Sequence, residues 1–156
     1  MFQQHLVKKR YLAIVEGSWQ TEGTVVDKAL GRNPKHPEKQ AVRSDGRNAL
    51  SCFTTIEAQT EASFMAVDIA TGRTHQIRVH AAYCSHPVVG DTVYGFRRQR
   101  HAFAHHLLHA HRLSWQHPHT GQEITVVAPL DDEFLRALSL YGFHVPLSDD
   151  KDIALF

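Results

Sequence analysis

Two arginines five positions apart, Arg73 and Arg78, stand in the run TGRTHQIRVHAAYCSHPVVGD over residues 71–91, with His75, His80 and His86 around them. A guanidinium offers a planar fork of N–H donors that matches a carboxylate or a phosphate, so the pair points to chemistry on anionic oxygens. At Gly72 the pattern changes from strand alternation to Ile77, Ala81 and Cys84 at i, i+4 and i+7, which is helical. Thr74 is the expected N-cap, and Pro87 limits the helix at its far end. A strand turning into a helix here sets free backbone N–H groups beside a guanidinium, a natural seat for an anion. Arg78 follows Thr74 by four positions and His75 by three, so these side chains share a face, whereas Arg73 precedes the cap and points elsewhere. Flanked by Ile77 and Val79, Arg78 is costly to bury without an anionic partner. The plain alternative is an arginine that caps the helix or pairs at the surface.

The chain has 13 histidines, seven of them from His101 to His119. His105, His106, His109 and His111 raise the question of metal ligation. On a strand His109 and His111 share one face, but no cysteine or carboxylate nearby completes a ligand set, so a partly solvated or core-edge cluster is expected and no metal. Such histidines begin to charge near pH 6.5, which predicts tighter binding of a polyanion on acidification. Cys52 and Cys84 show no ligand spacing and read as buried, reduced thiols.

The elements that must position these groups follow from pattern. RYLAIVE (10–16) is β-branched and aromatic and stops at Gly17, hence a strand, and GTVVDKAL (23–30) is a second. Residues 31–48 hold two prolines, two glycines and five cations without periodicity and read as a long surface loop. ALSCFTTIEA and EASFMAVDIA form a hairpin, the second strand placing Phe64, Ala66 and Asp68 on one face and Met65, Val67 and Ile69 on the other. LLHAHRLSW and QEITVVAPL are strands joined across QHPHTG. DDEFLRALSLYG is an amphipathic helix with acids in its first turn and Gly142 at its end. The order, strands in hairpins with two separated helices, predicts an α+β sheet domain over 1–142 and a loosely held tail over 143–156.

With 156 residues, 42% of them hydrophobic, the chain can build a core. No apolar run approaches the ~20 residues of a membrane-spanning helix, and no signal peptide opens the chain, so the cytoplasm is the expected compartment. The net charge of +1 hides an asymmetry: residues 1–112 carry 15 Lys/Arg against 9 Asp/Glu, residues 113–156 carry 2 against 7. The cations come in knots, at 8–10, through the 31–48 loop, at Arg73/Arg78 and at Arg97, Arg98 and Arg100. Clustered cations gain counterion-release free energy on nucleic acid, so a polyanion is a reasonable partner, an ordinary solvated basic face being the alternative.

Three segments in order, KRYLAIVEG, TGRTHQIRVHAAYCSHPVVGDTVYG and LLHAHRLSWQHPHTGQEITVVAPL, resemble the RluA-type ribosomal large-subunit pseudouridine synthases over residues 2–142. The resemblance implies a mixed, mostly antiparallel sheet with flanking helices, and an isomerisation of uridine in structured RNA, ribosomal or transfer, that breaks the N-glycosidic bond and rejoins the base through carbon. It implies no cofactor or metal, and a target nucleotide flipped out of its stack. Tyr11 matches the family tyrosine that stacks on the flipped base and is a candidate for the final proton transfers; a phenol titrates near pH 10, so a base role needs a tuned setting. Arg78 matches the arginine that holds the catalytic aspartate ionised and oriented. Leu108 matches an apolar pocket-lining position, and Lys9, Arg73 and His75 match RNA-facing or rim positions. The family's aspartate lies in a His-Arg-Leu-Asp motif upstream of the tyrosine strand, and the residues from Met1 resemble the helix and turn downstream of that motif, so the nucleophile is expected to be missing here. His111-Arg112-Leu113-Ser114 ends in serine inside a later motif, and neither Asp68 nor Asp91 matches the nucleophile position. The expectation is therefore a synthase domain incomplete at its N-terminus. The alternatives are an RNA-binding relative without catalysis, or one half of a complemented enzyme. An orphaned Arg78 would take water, another acid or a phosphate, and an open sheet edge would invite self-association.

Overall fold

The computed structural model describes residues 7–145, so the expected tail lies outside the described residues from position 146 on. The strands are β1 (Lys8–Glu16), β2 (Thr24–Asp27), β3 (Leu30–Arg32), β4 (Gln40–Val42), β5 (Leu50–Ala58) and β6 (Ala62–Ile69). Helix α1 (Gln76–Tyr83), β7 (Leu108–Gln116), β8 (Glu123–Val127) and α2 (Asp132–Leu140) come after them. Six strands form one sheet in the order β2-β5-β6-β1-β7-β8, and each of their pairings is antiparallel. This is the mostly antiparallel α+β sheet with flanking helices that the sequence predicts.

β1 is central because it is apolar on both faces: Leu12, Ala13, Ile14 and Val15 are all fully buried. Leu12 and Ile14 join Phe64 and Ala66 of β6 under Phe134, Ala137 and Leu138 of α2. Ala13 and Val15 join Phe53, Met65, Val67 and Ile69 against Ile77 and Ala81 of α1. The alternation read from β6 thus sorts its residues between two cores on opposite faces. Each fully buried side chain of the Val, Leu or Phe class contributes about 1.5–3 kcal/mol, so one half-core fixes α1 against the sheet and the other fixes α2 on its opposite face. α2 starts where Asp131 accepts the Phe134 N–H at 2.8 Å, an N-cap that suits the acids of its first turn. It stops at Gly142, whose φ of 73° suits glycine.

Two expectations need correction. The second strand is broken at Lys28 and Ala29 into β2 and β3, and residues 31–48 are not a structureless loop. β3 and β4 pair antiparallel as a separate hairpin, with Leu30 opposite Val42. Its apolar anchors, Leu30, Ala49 and Val42, pack on Val79 of α1 and on Tyr94, too few in a polar segment to show as periodicity. The described sheet edges are β2 and β8, and β8 exposes Val126 and Val127.

Candidate active site

A cavity of about 450 Å³ opens between the end of the sheet and α1, and Tyr11, Arg73, His75, Arg78 and Leu108 all line it, with His106 beside them. Tyr11 comes from β1, where the pairing with β7 shifts register between Arg10 and Tyr11. The extra residue is His111 of β7, while β1 runs in regular register with β6, so Tyr11 keeps the strand alternation and shares a face with Ala13 and Val15. Leu108 is the first residue of β7, and α1 brings His75 and Arg78 one turn apart.

The turn into α1 differs in detail from the expected Thr74 cap. His75 is the N-cap, in the left-handed region at φ 57°, and makes no side-chain cap bond. A non-glycine residue there costs on the order of 1–3 kcal/mol and persists only where its surroundings hold it. The holding group is Gln76, 3% exposed. Its Oε1 accepts from the Arg73 N–H at 3.0 Å and the Thr71 hydroxyl at 2.7 Å, while its Nε2 donates to the Leu50 carbonyl at 2.9 Å and to Ser51 Oγ at 3.0 Å. Gln76 thereby ties the turn to β5. His80 extends the tie, with Nδ1 2.9 Å from Ser51 Oγ and Nε2 donating to the Lys28 carbonyl at 2.8 Å. Arg73 does point away from Arg78's partner, donating from Nε to the Asn48 carbonyl at 2.8 Å.

Arg78 is not orphaned. Its Nε and Nη2 donate to Asp91 Oδ2 and Oδ1 at 2.7 and 2.9 Å, and Asp91 Oδ1 also accepts the N–H groups of Val93 and Tyr94. Of the outcomes foreseen for a guanidinium without its partner, another acid is the one found. The Tyr94 ring stacks on the guanidinium, 5.0 Å from centroid to Cζ. The hydrogen bond to Asp91 pushes the Arg78 pKa up. Burial works to raise the Asp91 carboxyl, but the bonds from Arg78, Tyr94 and Val93 hold it below the usual carboxylate value. His75 and His106 are both pushed down, first by burial and then by the Arg78 charge. The histidines of the cavity therefore charge at lower pH than unperturbed ones, which moves the expected acid-driven gain in polyanion binding to more acidic conditions. Asp91 as the partner of Arg78 is what the sequence reading missed. The available signal was the Gly90-Asp91-x-x-Tyr94 turn, in which an aspartate bonds backbone N–H groups two and three residues on.

Lys9 lies to one side. Its side chain lines a second cavity of about 500 Å³ with Lys8, Arg10, Asp68 and Arg112, but its Nζ comes within 3.4 Å of where a Cβ would sit on Gly72, at the rim of the first. In the larger cavity Arg10 and Asp68 hold each other in a two-bond ion pair. Among the described residues it gathers no tyrosine or histidine beside a guanidinium, so size does not make it the better candidate. The histidines of β7 serve the backbone: His109 Nε2 and His111 Nδ1 each donate to the Ala128 carbonyl at 3.1 Å. Among the described residues no group of three or more His, Cys, Asp or Glu is placed to hold a metal ion. Cys52 and Cys84 are free and only partly buried, and burial pushes the Cys84 thiol up.

A strand-borne tyrosine and a helix-borne arginine fixed by a carboxylate thus line one cleft of an antiparallel sheet. The family model for RNA pseudouridylate synthase matches residues 1–83, and the chain belongs to this family. It is 40% identical over 134 residues to an uncharacterized RNA pseudouridine synthase of Bacillus subtilis, covering 85% of this chain and 46% of the relative. It is 38% identical over 143 residues to ribosomal large subunit pseudouridine synthase D of Nitrosomonas europaea, covering 87% and 41%. With tRNA pseudouridine synthase C of Salmonella typhimurium the identity is 32%, over 97% of this chain and 65% of the relative. The solved structure of human RNA pseudouridylate synthase domain containing 1 superposes with a TM-score of 0.77 at 30% identity, over 99% of this chain and 66% of the other. The chain thus spans about half the length of the curated relatives it matches, from 41% to 65% in these three.

Proposed function

We propose that the cavity between β1 and α1 receives a uridine of structured RNA, ribosomal or transfer, and serves its isomerisation to pseudouridine. The N1–C1′ bond breaks, C5 bonds C1′, and C5 gives up a proton while N1 gains one, so no co-reactant is consumed. The observation that carries this reading is convergence. Tyr11, Arg73, His75, Arg78 and Leu108, scattered over nearly a hundred positions, line one cleft of about 450 Å³ in a chain of this family. In it Tyr11 stacks on the extruded base and takes part in the closing proton transfers, Leu108 supplies apolar lining, and Arg73, His75 and Lys9 contact RNA.

Arg78 holds the reaction's carboxylate. Asp91 takes the Nε–Nη2 edge of its guanidinium, which leaves the Nη1 end for a second anion. Neither Asp68 nor Asp91 falls at the family's nucleophile position, so we assign the nucleophile to a His-Arg-Leu-Asp segment outside these 156 residues. The mismatch also favours a second reading, in which residues 1–156 act by themselves as an RNA-binding module.

The experiment is to incubate the chain with ribosomal and transfer RNA, alone and together with a polypeptide carrying the His-Arg-Leu-Asp segment. Pseudouridine is then separated chromatographically from its isomer of equal mass. RNA binding by the chain alone, with pseudouridine formed only in the mixture, is the expected result. Binding with no pseudouridine in either arm would leave the RNA-binding reading, and no binding at all would overturn both.

A further inference from the structure

Tyr94 touches Arg78, its partner Asp91 and His75, although it does not itself line the cavity. Its ring lies on the Arg78 guanidinium, its backbone N–H bonds Asp91, and its hydroxyl oxygen accepts the Gln40 N–H of β4 at 2.9 Å. The same oxygen is 2.8 Å from His75 Nδ1. Two proton arrangements fit that distance. If Nδ1 carried the proton, the Tyr94 oxygen would accept twice and its own proton would have no acceptor among the described residues. If the hydroxyl donates to Nδ1, every polar atom of the contact is satisfied. A neutral imidazole with Nδ1 accepting carries its proton on Nε2, and Nε2 has no hydrogen-bond partner among the described residues, on a side chain that lines the cavity. The charged groups around the ring, Arg78 and Asp91, are paired with each other, and His106 is the other titratable neighbour.

We propose that Tyr94 is a positioning residue: by donating its hydroxyl proton to His75 Nδ1 it makes His75 an Nε2–H donor toward the bound nucleotide. An acceptor oxygen, of a phosphate or of a base carbonyl, is recognised there, and an exocyclic amino group is not. Because the same hydroxyl accepts from Gln40, the β3–β4 hairpin and the donor of the cavity are held by one atom. The nature of the ligand rests on the uridine-isomerising reading above; the proton arrangement does not.

The test is nitrogen-15 NMR of the imidazoles in wild type and Tyr94→Phe. In the wild type His75 Nδ1 should resonate as a bare nitrogen and Nε2 as a protonated one. In Tyr94→Phe the preference should be lost and the ring should titrate at higher pH, since a bond to its neutral form is gone. A wild-type His75 protonated at Nδ1 overturns the proposal, whether or not the variant folds. So does a folded Tyr94→Phe with unchanged tautomer and titration. A uridine-bearing RNA hairpin and the same hairpin with an abasic site are then added to the wild type. A shift of the Nε2 resonance with both identifies a phosphate oxygen, and a shift with the uridine alone identifies the base. RNA that binds without moving Nε2 overturns the donor role. RNA that does not bind at all overturns the functional reading, while the spectra of the free protein still decide the role of Tyr94.

Discussion

Arg78 and Asp91, thirteen residues apart, form a two-bond ion pair in which the carboxylate side chain is fully buried and the guanidinium 11% exposed. Removing one member of such a pair strands a charge away from water, a loss of about 3–5 kcal/mol. Asp91→Ala should therefore lower the free energy of unfolding by that amount in urea titration. Replacing both by apolar residues should recover much of it. A single variant within about 1 kcal/mol of wild type would show that the pair is solvated in solution.

Arg78→Met tests the other edge of the guanidinium. In a protein that also carries the His-Arg-Leu-Asp segment, pseudouridine formation should fall on the order of 100-fold or more, as when a preorganised donor is removed. RNA affinity of the folded variant should largely survive, because one phosphate-scale contact at most is lost, while its stability falls as Asp91 is left buried without its partner. Near-normal turnover would detach Arg78 from the chemistry.

Stability should weaken on mild acidification because of His80. Its ring is fully buried, accepts from Ser51 and donates to Lys28, and burial pushes its pKa down. The unfolded chain takes up the proton near pH 6.5 while the folded one resists it. Stability is thus complete above about pH 6.5, falls as the pH drops below that value, and levels off once the folded ring is charged. His80→Gln should flatten the slope of unfolding free energy against pH between about 7 and 5; an unchanged slope would move the effect to other histidines.

Gly90 is a backbone requirement behind the cavity. Its φ is 80°, and a Cβ there would lie 2.5 Å from the His105 carbonyl oxygen, in the segment that leads into Leu107 and Leu108. Gly90→Ala should lower the melting temperature and disturb the Leu107–Val89 pairing, observable as faster amide exchange at Leu107. Retained protection there would show that the segment yields easily.

The exposed cations Arg97 and Arg98 come just after the Gly90–Gly95 turn, where they can meet a polyanion. Replacing both with Gln should weaken RNA binding across sequences and reduce the slope of log K against log salt by roughly one to two. An unaltered slope would place the RNA elsewhere.

The open β8 edge, with Val126 and Val127 half exposed, predicts self-association that grows with concentration. Sedimentation showing a clean monomer at high concentration would count against it.

Patterns set by near neighbours were legible in the residues themselves. The β-branched and aromatic run over 10–16 marked a strand, the alternation of Phe64–Ile69 sorted into two opposite cores, and Ile77 and Ala81 gave α1 its buried face. Of the site residues expected from motif resemblance, all but Lys9 line one cavity. Period and motif act through local sterics and burial, which are written along the chain. The β3–β4 hairpin was hidden because a few distant anchors, not periodicity, hold it. The partner of Arg78, the cap at His75 and the grip of Gln76 on Leu50 and Ser51 were hidden for a related reason. Hydrogen bonds between side chains depend on distances of tenths of an ångström across elements far apart in sequence, and only the packed sheet and α1 bring those atoms within reach.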